Sequence, residues 1–381
     1  MIQVAPRMLR WARERASLAP AELAKRVGLA VRRVEDWEES GQLPFEHLER
    51  LAEKTHTPVG YLFLPEPPAI ELPISDFRRV AGEGGQPPSS ELIDTIRQCQ
   101  LRQEWFREHL IAEGAEPLSW VGSANLDADR ASIALAIRAA LELDRRPLSL
   151  NWTEAVRDLY RRTEELGALV LRNGVVGNNT HRKLRVEEFR GFALSDPYAP
   201  LVFINAVDSK AAQMFTLVHE LCHLWLGQSA VSDADPSTNV ATERFCNAVA
   251  AETLAPASEF RAAWDAAVPL PEMTARLARL FKVSTLVVLI RAREAGLLAG
   301  DVFEAAYAAE RERVQAIDAR SGGDGGDFYN TQNARLGGRF ATAVISSALE
   351  GRTPYTEAFR LLGFKRTATF DEYARKLGIL P

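Results

Sequence analysis

Hydrophobic positions along the chain follow two different periods, and the places where the period changes mark its organisation. Through residue 64 apolar residues recur at helical spacing in short blocks. They predict helices over 8–16, 20–27, 31–39, 45–54 and 59–64, with Pro20 near the start of the second and Gly28 and Gly41 as stops. Residues 65–86, rich in proline and turn formers, predict an extended connector that contains ELPISDFRR. Helical spacing resumes over 91–112, where Leu92, Ile93, Ile96, Leu101, Trp105, Phe106 and Leu110 repeat, and again over 130–142 and 152–165, the last capped by Asn151 or Thr153. The period then shortens. Runs at 168–172, 188–194 and 200–206 are rich in branched and aromatic residues and bounded by Gly, Asn, Asp and Pro, so they predict strands, the last two paired as a hairpin through SDPYAP.

After the third strand, Asp208-Ser209 is a helix-capping pair, and helices are predicted over 210–227 and 238–254, the second ended by Pro256. Two helices meeting near Val283-Ser284 follow within 271–298, then a charged helix over 301–318. SGGDGGDFYNTQ has the composition of a flexible linker, and 335–380 reads as a small helical domain whose FRLLGFKRTATFDEYARKL suggests a second helix-turn-helix-like unit. Its Arg360, Lys365, Arg366, Arg375 and Lys376 read as a solvated surface. The expected fold is multidomain and mainly α. It places an all-α front domain at 1–66, a linker and helical connector at 67–125, an α+β core at 126–265 with a small antiparallel sheet, a helical extension at 266–320, a linker at 321–330 and a helical domain at 331–381.

Composition changes this picture little. The 381 residues are 46% hydrophobic and 25% charged, as in ordinary globular proteins, and the formal net charge of −5 gives no general pull towards nucleic acid or anionic membrane. No apolar run approaches the ~18 residues of a membrane span, and the N-terminus lacks the apolar core of a signal peptide. Three scattered cysteines, Cys99, Cys222 and Cys246, make no disulfide framework, so the cytoplasm is the expected compartment.

The stretch FTLVHELCHLWLG, 215–227, concentrates the chemistry. His219, Glu220 and His223 stand in the order His-Glu-x-x-His. Positions i and i+4 of a helix lie about 40° apart, one turn along, so both imidazoles reach one metal ion with Glu220 beside it. Two imidazoles and one further ligand leave a position for water whose proton a carboxylate can take, the arrangement of metal-assisted peptide hydrolysis. Leu217, Val218, Leu221, Leu224 and Leu226 surround the motif, so its polar groups need partners inside the protein. The next helix carries Glu243 and Glu252, about 180° apart around its axis, so at most one faces the metal. Asn247 shares the face of Glu243, while Asp233 and Asp235 in the intervening polar loop read as solvated or capping residues.

HELCHLWLG followed by ERFCNAVAAETLAP resembles the ImmA/IrrE metallopeptidase family, whose pattern joins His-Glu-x-x-His to Glu-x-x-Ala-Asn-x-Phe-Ala-x-x-Leu-Leu-x-Pro. The resemblance places the third ligand at Glu243, with Cys246-Asn247 standing for Ala-Asn; Val249, Thr253 and Ala255 depart from the pattern. It implies a zincin-like core binding Zn2+, with Mn2+ or another divalent ion as substitute, and Glu220 as general base. Cys222 fills a free position as a small packing residue, and Tyr198, His181 and Arg190 are candidates for the oxyanion donor. The segment LAPAELAKRVGLAVRRVEDWEESGQLPFEHLERLAEKTHTPVGYLF resembles an Xre-type helix-turn-helix domain, which puts Arg32, Arg33 and Asp36 near DNA. Glu35, Asp36, Glu38 and Glu39 crowd that helix, and a docking or dimerising module is the alternative.

Three readings follow. The first is a protease cutting a co-encoded repressor or antitoxin in a stress or mobile-element response. The second is a transcriptional regulator whose peptidase-like domain senses metal or a partner without cleavage. The third is an antitoxin-like protein that neutralises a co-encoded toxin. A protein substrate, operator DNA and a homodimer are the partners these readings invoke; a membrane is not.

Overall fold

The computed structural model describes residues 1–16, 18–68, 72–76, 88–149, 151–232, 240–318, 332 and 335–380. The chain divides into two compact units, Met1–Pro73 with Ala81–Arg97, and Ile74–Val80 with Gln98–Pro381.

The first unit is helical. After β1 (Ile2–Gln3) come α1 (Pro6–Arg15), α2 (Pro20–Val27) and α3 (Val31–Ser40), then β2 (Gln42–Leu43), α4 (Phe45–Lys54) and a 3-10 turn at Val59–Phe63. Leu9, Leu23, Val34, Trp37, Leu48 and Leu51 form its core. β1 and β2 pair antiparallel, tying the N-terminus to the end of α3. Gly41 is required there. Its φ is +71°, and a Cβ would lie 2.1 Å from the Val4 carbonyl oxygen. Glu38 does not join the acidic surface expected on α3, because it points inward to a two-pronged pair with Arg13, at 2.6 and 2.9 Å.

The second unit holds β3 (Ser75–Asp76), most of α5 (Ser90–Ala112), α6 (Arg130–Ala140), α7 (Trp152–Glu165), β4 (Leu169–Asn173), β5 (Val175–Val176), β6 (Asn179–Lys183), β7 (Gly191–Leu194), β8 (Leu201–Asn205), α8 (Lys210–Trp225), β9 (Ala230–Ser232) and α9 (Ala241–Leu254). Four more helices, α10 (Ala257–Ala263), α11 (Leu270–Phe281), α12 (Thr285–Glu294) and α13 (Gly300–Asp318), follow. The last three helices run over Gly338–Leu349, Tyr355–Leu362 and Thr367–Lys376. The predicted linker at 321–330 lies outside the described residues.

The antiparallel sheet expected from sequence is a mixed one, of order β3-β9-β7-β8-β4. β7 pairs antiparallel with β8 and with β9, as the predicted hairpin requires, but β4 pairs parallel with β8 and β3 parallel with β9. The reason is connectivity. β7 reverses the direction of β4, β8 reverses it again, and β8 rather than β7 takes the place next to β4. α8 lies against β7 and β8, flanked by α7 and α9, and its apolar residues Leu217, Val218, Leu221 and Leu224 are fully buried in a core shared with α6, α11 and α12. Ser209 caps α8 by accepting from the Ala212 N–H, and Asn151 caps α7.

Candidate metal centre

Two adjacent helices and one strand end build the centre. α8 brings His219 and His223 to one side, one turn apart, and α9 packs along it to present Glu243 from its first turn. The Nε2 atoms of the two histidines are 3.2 Å apart, and Glu243 reaches both, Oε2 to His219 at 3.1 Å and Oε1 to His223 at 3.0 Å. All three side chains are completely buried, as is Glu220.

Asn247, one turn after Glu243, accepts from Nδ1 of His219 at 2.9 Å, which turns the Nε2 lone pair of His219 into the cluster. The hydroxyl of Ser232, the last residue of β9, lies 3.3 Å from His223 Nε2 and 3.4 Å from Glu243 Oε1. Sequence reading missed Ser232, taking 229–238 for a polar loop throughout; Ala230–Ser232 is a strand, and its apolar Ala-Val pair was the available signal.

Electrostatics support a cation here. Burial opposes charging His219, but the Glu243 carboxylate outweighs it and lifts that histidine to about 9. Burial would likewise raise Glu243, yet His219 and His223 hold it at about 2, while burial lowers His223. Three groups offering lone pairs to one point need a positive charge between them, and a divalent ion supplies more of it than one proton. The set His, His and carboxylate within 4.8 Å suits zinc or a related divalent ion. Glu220 stands apart from the three. Both of its carboxylate oxygens are buried without a hydrogen-bond partner, and burial pushes it up to about 8.

Residues 163–293 match the IrrE N-terminal-like domain, a peptidase M78 family. This IrrE-like segment contains every group of the centre and supports a metallopeptidase-like function. Residues 336–376 match a domain of unknown function (DUF8813), and no curated protein matches the sequence.

Among the other predicted residues, Arg190 adjoins the strand end of the centre, its backbone N–H donating to the Ser232 carbonyl at 3.3 Å. Glu252 binds Arg291 and accepts from the Ala257 N–H. Arg190 pairs with Asp208 at 2.5 Å, Tyr198 lies 5.9 Å beneath the Arg107 guanidinium, and His181 is exposed on β6. Arg32 and Arg33 are exposed on α3 of the first unit, and Asp233 and Asp235 fall outside the described residues. No helix among the described residues is long and apolar enough to cross a membrane.

Proposed function

We propose that the chain is a zinc-dependent endopeptidase, with Mn2+ or another divalent ion as substitute, joined to a front module that binds operator DNA or docks a partner. Its substrate on this reading is a repressor or antitoxin encoded beside it. The observation that carries the reading is an unpartnered, buried Glu220 next to three converging ligand atoms. A protein that only bound a partner would have no need of that carboxylate.

His219, His223 and Glu243 would hold the ion, with Asn247 fixing the ring of His219. When bound, the ion supplies Lewis acidity towards the scissile carbonyl and towards water. Glu220, beside the ligand atoms, would take a proton from the attacking water and later deliver it to the leaving amine. The apolar walls of α8 exclude bulk water from this exchange.

A second reading, in which the IrrE-like domain senses or binds a partner without cutting, draws on the complete burial of all four groups. Glu220→Gln separates the two. On the peptidase reading it keeps zinc content near that of the parent and abolishes cleavage of the co-encoded substrate. Equal cleavage by parent and variant would refute the proposed base.

A further inference from the structure

The sheet edge beside the metal centre is occupied by the chain's own connector. β9 ends at Ser232, whose hydroxyl touches the ligand cluster, and on its inner side it pairs with β7 at Gly191, where an added Cβ would lie 3.2 Å from Glu220 Oε1. Its outer side carries β3, in the register Ser75 with Ala230 and Asp76 with Val231. An extended peptide recruited by backbone pairing would use that outer side of β9, since it is the only face of the strand that β7 leaves open. β3 takes those hydrogen bonds instead.

The geometry points to a self-docked strand that gates the centre: β3 stands in for the substrate backbone on β9, and an extended peptide enters only when β3 leaves. This deepens the peptidase reading and rests on it. Two observations agree. His219, Glu220, His223 and Glu243 are all 0% exposed, so the site as folded admits no peptide. The strand is poorly held. It has two paired residues, its Ser75 is exposed, and aspartate is a residue type depleted in strands.

Two full-length variants with opposite expected effects test it. Ser75→Pro with Asp76→Pro removes backbone donors from β3, and Ser75→Val with Asp76→Val strengthens it as a strand. Hydrogen exchange of the peptide spanning Ala230–Ser232, and transfer of bound zinc to the chelator 4-(2-pyridylazo)resorcinol, are followed for parent and both variants, with circular dichroism as the check of folding. Both rates are expected to rise at least ~10-fold in the proline variant and to fall below the parent in the valine variant, with the equilibrium zinc affinity changed less than ~3-fold. Equal exchange in all three proteins overturns the gate. Exchange that responds in both directions in proteins that take up no zinc supports the detachable strand and overturns the metallopeptidase reading beneath it.

Discussion

Glu243 and Glu252 show how one helix assigns two identical side chains to different work. Nine residues of α9 separate them, so when Glu243 faces His219 and His223, Glu252 faces α12 and meets Arg291. Glu243→Ala should lower zinc affinity by at least ~10-fold, and Asn247→Ala should lower it on a similar scale by freeing the His219 ring, while Glu252→Ala should leave it unchanged. Competitive zinc titration checks all three, and a large loss in Glu252→Ala would remove Glu243 from the centre. Most of this was legible beforehand. The helical period puts the two histidines on one side of α8 and Glu243 and Glu252 on opposite sides of α9, and the family resemblance pointed to Glu243. Ser232 was not legible, because its role depends on where β9 ends relative to α8, and that is set by the sheet.

At the scale of elements, the packing of α8 on β7 is what positions Glu220. Gly191 allows the close approach: a Cβ there would lie 2.6 Å from Thr216 Cγ2, 2.9 Å from the Phe203 carbonyl oxygen and 3.2 Å from Glu220 Oε1. The backbone oxygen cannot move aside without disturbing the β7–β8 ladder. Gly191→Ala is therefore expected to destabilise the protein by about 1–3 kcal/mol, as overpacking does. Urea denaturation measures it, and a loss within experimental error would mean that α8 can shift away from the sheet. Sequence patterning predicted α8, α9, β7 and β8 closely, since each has a strong period and a marked end. It missed β1, β2, β3, β5 and β9, which have two or three residues apiece and too few positions to display any period, and β6, whose sequence NTHRK offers no apolar residue.

For the whole molecule, the question is how the flanking parts attach to the IrrE-like core. The C-terminal helices are fixed to it: Arg339 donates to the Gly167 carbonyl at 2.5 Å, Arg102 to that of Leu361 at 3.0 Å, and Phe340 packs on Trp105 and Phe106. Glu164, near the end of α7, meets the N–H groups of Gly338 and Arg339 at the start of the helix Gly338–Leu349, and burial pushes its carboxyl up to about 7 from a usual value of 4.5. A folded value above the unfolded one means that the stabilisation is complete below about 4.5 and is lost as pH rises through about 7. Glu164→Gln, which stays neutral, should melt above the parent at pH 8, with the difference closing by about pH 5. Parallel melting curves across that range would refute the assignment. On the DNA-binding reading of the front unit, Arg32→Ala with Arg33→Ala should weaken binding to the protein's own promoter DNA and flatten its salt dependence, because each exposed arginine would supply one phosphate contact. Unchanged binding in a salt series would favour the docking module.

The sequence alone showed that His219 and His223 share one face of a helix with Glu220 beside them, because residues four apart lie one turn along any α-helix. It also determined where most helices begin and end, since capping residues and glycine act over a few neighbouring positions. Only the tertiary structure decided that the sheet is mixed, that Ser232 and Asn247 complete the surroundings of the centre, that Glu38 is turned inward to Arg13, and that the connector lends a strand to the sheet edge beside the candidate metal centre. These depend on contacts between residues distant in the chain, where short segments with little periodicity of their own are placed by the partners they find.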